Sequence, residues 1–230
     1  MTAGYGLAEA TVGVSMSQPG ADARVDERGL VSVGHPFPKV EISIVSQTGN
    51  ELPAGEIGRI LIRSPANTIG YFDDPAATAD LIRDDGFLDS GDLGYLDGEG
   101  RLWISGRAKN IIISGGRNLA PHELEQVVDS MAGVRSAAAV GIDSGGIEGE
   151  QPVVLAEVRR GLSDEDCEDL VINIVERLHS HLGLRPARVI LVAPGTIPRT
   201  SNGKVQHPLL RQQLAGGELE RASCILFPRD

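Results

Sequence analysis

Lysine is scarce in this chain. Of 21 basic residues only Lys39, Lys109 and Lys204 are lysines; the rest are arginines. Lys204 sits in PRTSNGKVQH, residues 198–207, among turn-forming Pro, Thr, Ser, Asn and Gly. A lysine carries a compact ammonium with three donors on a long stem, where arginine offers a planar fork. A chain that takes arginine for generic surface charge has an unusual reason, or an accident, wherever it keeps lysine. An exposed lysine in a turn is the plainer alternative. Near the other end, TAGYGLAEAT (residues 2–11) gathers Gly4, Tyr5, Gly6 and Glu9. The glycines would let backbone approach a flat ligand, Tyr5 offers a stacking face, and Glu9 offers oxygen to a hard cation such as Mg²⁺. A glycine turn before a helix explains the same residues.

Two further stretches carry chemistry. In DSGDLGYLD (89–97), Asp92 lies between glycines after a predicted strand. An exposed carboxylate there can accept both hydroxyls of a ribose; a turn aspartate bonded to its own backbone is the competing reading. SGRAKNIIISGGRNLAPHELE (105–125) is more specific. Arg107 and Lys109 precede the apolar run 111–113, which leads to Gly115 and Gly116 and then to a helix begun by proline. The paired glycines would expose backbone N–H and C=O groups to a chain-like ligand; a surface charge pair before a strand is the plainer reading.

The elements that must position these residues fall into two styles. Residues 31–63 read as strand and turn, with alternation in VEISIV (40–45) and RILIRS (59–64). DPAATADLI (74–82) suits a short helix, and residues 86–107 read as two strands around a turn at 97–100. From Pro121 the pattern changes. PHELEQVVDSM has Leu124, Val127, Val128 and Met131 at helical spacing behind an initial proline. VRSAAAVGI (134–142), VVLAEVRR (153–160) and ARVILVA (187–193) read as strands. Residues 163–183 predict an amphipathic helix with Ser163 as cap, an acidic first turn and Gly183 as its stop. HPLLRQQL (207–214) suits a last short helix.

Composition narrows the classes. With 41% hydrophobic residues and 3% aromatic, the core must be aliphatic. The formal net charge of −11 argues against nucleic-acid binding, which needs a basic surface. The acidity is uneven: residues 1–106 carry 7 basic and 16 acidic side chains, residues 107–230 carry 14 and 16. Cys167 and Cys224 stand far apart with no metal-ligand spacing. No apolar run approaches the ~20 residues that span a bilayer. A cytoplasmic protein without a membrane span is the expectation.

These four stretches, in this order, resemble the adenylate-forming superfamily, which includes acyl-CoA synthetases, fatty acyl-AMP ligases, luciferases and the adenylation domains of peptide synthetases. The resemblance implies an α+β fold: the glycine-rich, β-rich tail of a large AMP-binding domain in residues 1–106, then a small mobile α/β C-terminal domain in residues 107–230. It also implies ATP and Mg²⁺ as cofactors. In this family a carboxylate attacks the α-phosphate of ATP, and a thiol or other nucleophile then displaces AMP. By resemblance Gly4, Tyr5 and Gly6 form the adenine side, with Tyr5 stacked on the base. Glu9 helps hold Mg²⁺, Asp92 takes the ribose, and Arg107 contacts ribose or phosphate. Lys109 falls on the domain hinge. Gly115 and Gly116 face the pantetheine side. Lys204 takes the catalytic position, in a loop whose glycine lets it swing in and leave.

YGLAEAT and GGRNLAPHELE are similar to fatty acyl-AMP ligases, which implies a fatty acid as the carboxylic acid and an acyl carrier protein or CoA as acceptor. The short connection from residue 12 to residue 35 departs from that subfamily's insertion, so an aryl-acid or other acyl-CoA ligase stands beside it. The family's Ser/Thr/Gly-rich phosphate loop and most of its acyl pocket precede the region matched here. The chain is therefore expected to be incomplete as an enzyme alone; a docking surface for a carrier protein is the non-enzymatic alternative.

Overall fold

The computed structural model describes residues 2–143, 149–201, 203–221 and 223–227, those from 220 onward by backbone alone. The chain divides into two compact units, Met1–Lys109 and Asn110–Asp230.

The first unit is built from short antiparallel strands. β1 (Gly4–Tyr5), β2 (Ser15–Met16) and β3 (His35–Pro36) form a three-stranded sheet in chain order. β4 (Glu41–Val45) and β5 (Gly58–Arg63) lead into helix α1 (Pro75–Leu81). β6 (Leu88–Leu96) and β7 (Leu102–Arg107) complete a four-stranded meander, β4-β5-β6-β7. The alternation in β4 and β5 has its physical counterpart in two separate apolar clusters. Ile44, Ile60 and Ile62 pack with Ala10, Val14 and Leu102, while Val45, Leu61 and Phe87 form another. Helix α1 starts where expected because the Asp74 carboxylate accepts from the Ala77 N–H at 2.9 Å and Pro75 follows it. The 97–100 turn is closed by the Asp97 carboxylate, which accepts from the Glu99 and Arg101 amides and from the Trp103 indole.

The second unit opens with the hairpin β8 (Ile112–Ser114) and β9 (Arg117–Leu119), followed by α2 (Pro121–Asp129), β10 (Val134–Asp143) and β11 (Glu150–Val158). α3 (Asp164–Leu182) crosses over to β12 (Arg188–Val192), which lies parallel to β11. α4 (His207–Ala215), α5 (Glu218–Arg221) and β13 (Ser223–Phe227) finish the chain, and the sheet order is β10-β11-β12-β13. Alternate residues of β10 feed opposite faces. Ala137 and Ala139 join Leu124 and Val128 of α2 and Ile174 and Leu178 of α3. Ala138 and Val140 join Leu210 and Leu214 of α4. The result is a sheet sandwiched between helices, as an α/β domain requires. α3 has a reciprocal cap: Ser163 Oγ accepts from the Asp166 N–H, and the Asp166 carboxylate accepts from the Ser163 N–H. Gly183, at φ +62°, ends it.

Candidate functional site

In the first unit the structure brings Tyr5, Asp92 and Arg107 together. Asp92 and Arg107 are direct partners across the β6–β7 ladder. The Arg107 Nε donates to Asp92 Oδ1 at 3.0 Å, and the Tyr5 hydroxyl donates to Asp92 Oδ2 at 2.7 Å. Burial first, and then the charge of Asp92, pushes the Tyr5 phenol up, so it stays a donor. The expectation of an exposed carboxylate at Asp92 is corrected: the residue is only 6% exposed, because it sits inside a paired strand with one oxygen under Tyr5 and the other against Arg107. Each oxygen keeps a second lone pair. The Arg107 side chain, 66% exposed, reaches outward. The trio presents an aromatic ring fixed by its own hydroxyl, a desolvated carboxylate and an outward guanidinium.

Glu9 lies on a single 3₁₀ turn, Ala8–Ala10. Its carboxylate accepts from the Tyr71 hydroxyl at 2.6 Å, and this bond, ahead of its own backbone amide, holds its titration below the usual glutamate range. The Glu9 carbonyl accepts from Thr68 N–H at 2.7 Å, and the Thr11 hydroxyl donates to the Ala66 carbonyl. Residues 66–71 therefore clamp the turn from a distance. Thr11 and Val12, at φ +52° and +73°, occupy backbone geometry that β-branched residues rarely adopt. Gly6 has a structural requirement of its own. A Cβ there would stand 1.3 Å from the Val12 carbonyl oxygen, so the glycine admits the chain's own backbone. Among the described residues no cluster of three or more His, Cys, Asp or Glu side chains is placed to hold a metal. Glu9 alone still suits Mg²⁺, which takes one or two carboxylates and fills its shell with water and phosphate oxygens.

In the second unit Gly115 and Gly116 form the two-residue turn of the β8–β9 hairpin, with Ser114 opposite Arg117. Their φ values of +55° and +75° match a type I′ turn. Lys109 belongs to a 3₁₀ turn, Ala108–Asn110, at the end of the first unit.

Lys204 stands on a tight hairpin closed by a bridge between Arg199 and Val205. Its carbonyl accepts from Thr200 N–H at 2.8 Å, and its own N–H donates to Thr200 Oγ1 at 3.1 Å. Arg199 Nη1 donates to the Gly203 carbonyl at 2.8 Å, and its Nη2 donates to Ser136 Oγ on β10. The buried Glu157 carboxylate accepts from Ile197 N–H at 3.0 Å at the entry to the hairpin. Asn202 lies outside the described residues. The lysine backbone is thus tied down while its side chain is exposed. Sequence reasoning missed Ser136, Glu157 and Tyr71, because each sits 40 or more residues from the residue that it holds.

The segment 1–72 matches the family model for the AMP-binding enzyme, and 123–204 matches that for the AMP-binding enzyme C-terminal domain. YdaB of Bacillus subtilis, whose name proposes an acyl–CoA ligase, is 36% identical over 91% of this chain and 39% of its own length. FadD10 of Mycobacterium tuberculosis, named a medium/long-chain-fatty-acid–[acyl-carrier-protein] ligase, is 32% identical over 90% of this chain and 39% of its own. Among solved structures, ATP-bound MatB from Rhodopseudomonas palustris is 31% identical with a TM-score of 0.79, covering 93% of this chain and 40% of that one. The chain spans about two-fifths of the length of these relatives. Among the described residues no helix is long and apolar enough to cross a membrane.

Proposed function

We propose that this chain, which belongs to the AMP-binding, adenylate-forming enzyme family, supplies the adenylate-holding and lysine-bearing parts of an ATP-dependent ligase that activates a carboxylic acid, foremost a fatty acid. The observation that carries the reading is the joining of Tyr5, Asp92 and Arg107 on three strands. An aromatic face for a base, a carboxylate for ribose hydroxyls and a guanidinium for ribose or phosphate oxygens are the contacts that a nucleoside monophosphate needs. Gly4 and Gly6 flank Tyr5 at strand β1. Glu9 would hold Mg²⁺, whose charge offsets that of the phosphates.

The chemistry then proceeds in two steps. A carboxylate oxygen attacks the α-phosphorus of ATP, the bond to the bridging oxygen breaks, and pyrophosphate leaves. The Lys204 ammonium spans the attacking carboxylate and the α-phosphate and offsets the charge gathered between them. A thiolate then attacks the acyl carbon, the acyl–phosphate bond breaks, and AMP leaves. The thiol is that of CoA or of a carrier protein's phosphopantetheine, with the Gly115–Gly116 turn as its backbone contact. Lys109, at the end of the first unit, is the hinge that serves the two steps in turn.

The test is a paired assay of the 230-residue chain and of the same chain joined to an upstream portion like that of its relatives. Each receives ATP, Mg²⁺ and a panel of fatty and aryl acids, with CoA or carrier protein as acceptor. Acid-dependent release of pyrophosphate supports the reading, and the preferred acid and acceptor fix the subfamily. No acid-dependent release from either form contradicts it.

A further inference from the structure

His207 begins α4, three residues beyond Lys204, and its ring is strung between two other elements. Its Nε2 lies 2.9 Å from Glu125 Oε1 on α2, and its Nδ1 lies 3.3 Å from the Nδ2 of Asn110, the residue directly after Lys109. A carboxylate only accepts, so Nε2 carries the proton and donates to Glu125. Nδ1 is then the lone pair that accepts from the Asn110 amide. Glu125 is held in turn by the Ala139 N–H of β10 at 3.0 Å. The two side chains are only 14% and 16% exposed, so water competes weakly for these bonds. Between His207 and the lysine, the Gln206 N–H donates to the Pro198 carbonyl, and Gln206 Nε2 donates to the Arg199 carbonyl. The hairpin thus has two moorings. Arg199 and Glu157 fasten its entry to the sheet; His207 fastens its exit to α2 and to the residue that follows the hinge.

We propose that His207, held by Glu125 and Asn110, is a positioning residue that sets where the Lys204 hairpin stands on its domain and acts on adenylate formation through Lys204. The inference rests on the function proposed above. A hairpin moored only at its entry can pivot, and a displacement of about 1 Å at a reacting group can cost on the order of 100-fold in rate. The nucleotide contacts of Tyr5, Asp92 and Arg107 lie in the other unit and do not depend on His207.

The test uses whichever form turns over. His207→Ala should lower kcat for adenylate formation by about 10- to 100-fold. The KM values for ATP and acid should hold within about twofold, and acyl transfer from supplied acyl-adenylate should keep its wild-type rate. His207→Gln, which can still donate to Glu125, should recover much of the loss. Asn110→Ala, a milder change, should give a smaller loss of the same kind. In a Lys204→Ala background His207→Ala should cost nothing more, because two residues that act as one unit are not additive. Equal loss in both half-reactions, or an undiminished loss in the Lys204→Ala background, would overturn the proposal as a general weakening of the domain. If Lys204→Ala abolishes adenylation while His207→Ala keeps it, the proposal fails and the functional reading stands. If Lys204→Ala leaves adenylation intact, or neither form turns over, both fail.

Discussion

Tyr71 reaches back across 62 residues to hold Glu9, and that bond makes a prediction independent of any activity. In Tyr71→Phe the Glu9 carboxyl should titrate at higher pH than in the wild type, read by ¹³C NMR of the carboxyl. The sign follows from the depressed value in the folded state. The bond contributes stability that is present above the unfolded glutamate's pKa and is lost as pH falls through the folded one. Removing the donor moves that loss to higher pH; an unchanged titration would contradict the clamp. The same scale shows what single residues do and do not disclose. Asp92, Arg107 and Tyr5 were grouped through the family resemblance of the stretches that carry them, and the structure joins their side chains. The burial of Asp92 was not legible, since it depends on Tyr5 folding over it from 87 residues away. Gly6 was singled out for a ligand and is required by the Val12 carbonyl, a contact that no local pattern encodes.

Elements with caps and long periodic faces were legible, and the short ones were not. α3 announces itself by Ser163, its acidic first turn and Gly183, and it buries Leu170, Val171, Ile174 and Leu178 on one side. Ser163→Ala should cost about 1 kcal/mol, and Leu178→Ala about 2–5 kcal/mol because Leu178 is fully buried in the larger cluster of the second unit. Urea unfolding of the variants checks both; equal small losses would contradict the packing described. β1, β2 and β3 have two residues each and the β8–β9 strands three, too few to display an alternation. Gly115 and Gly116 were read as a ligand-facing turn; the strand before them was weighed only as the plainer reading, and the strand after them went unseen. With both at positive φ and open space around them, the demand there is conformational. Gly116→Val should therefore loosen the hairpin without a steric clash, seen as faster amide exchange at Ile112 and Leu119. Unchanged protection would count against the type I′ assignment.

At the scale of the molecule, the chain divides into two units after Lys109, and the proposed reaction divides between them. In that proposal the first unit holds the adenylate and the second brings the lysine. Lys109→Pro would fix φ near −65°. If Lys109 is the hinge, one half-reaction should fail while the other survives; normal rates for both would remove it from that role. The most direct test of the account concerns Lys204, whose peptide groups are both tied to Thr200 while its side chain is exposed. It is to be made in the form of the protein that shows acid-dependent turnover, with Lys204→Ala set beside the wild type in two measurements, carboxylate-dependent pyrophosphate exchange and acyl transfer from supplied acyl-adenylate. The account predicts that exchange falls by about 100-fold or more, as when a transition-state charge loses its preorganised partner, while transfer stays within a few-fold of wild type. Equal effects on the two steps, whether both small or both large, would contradict it.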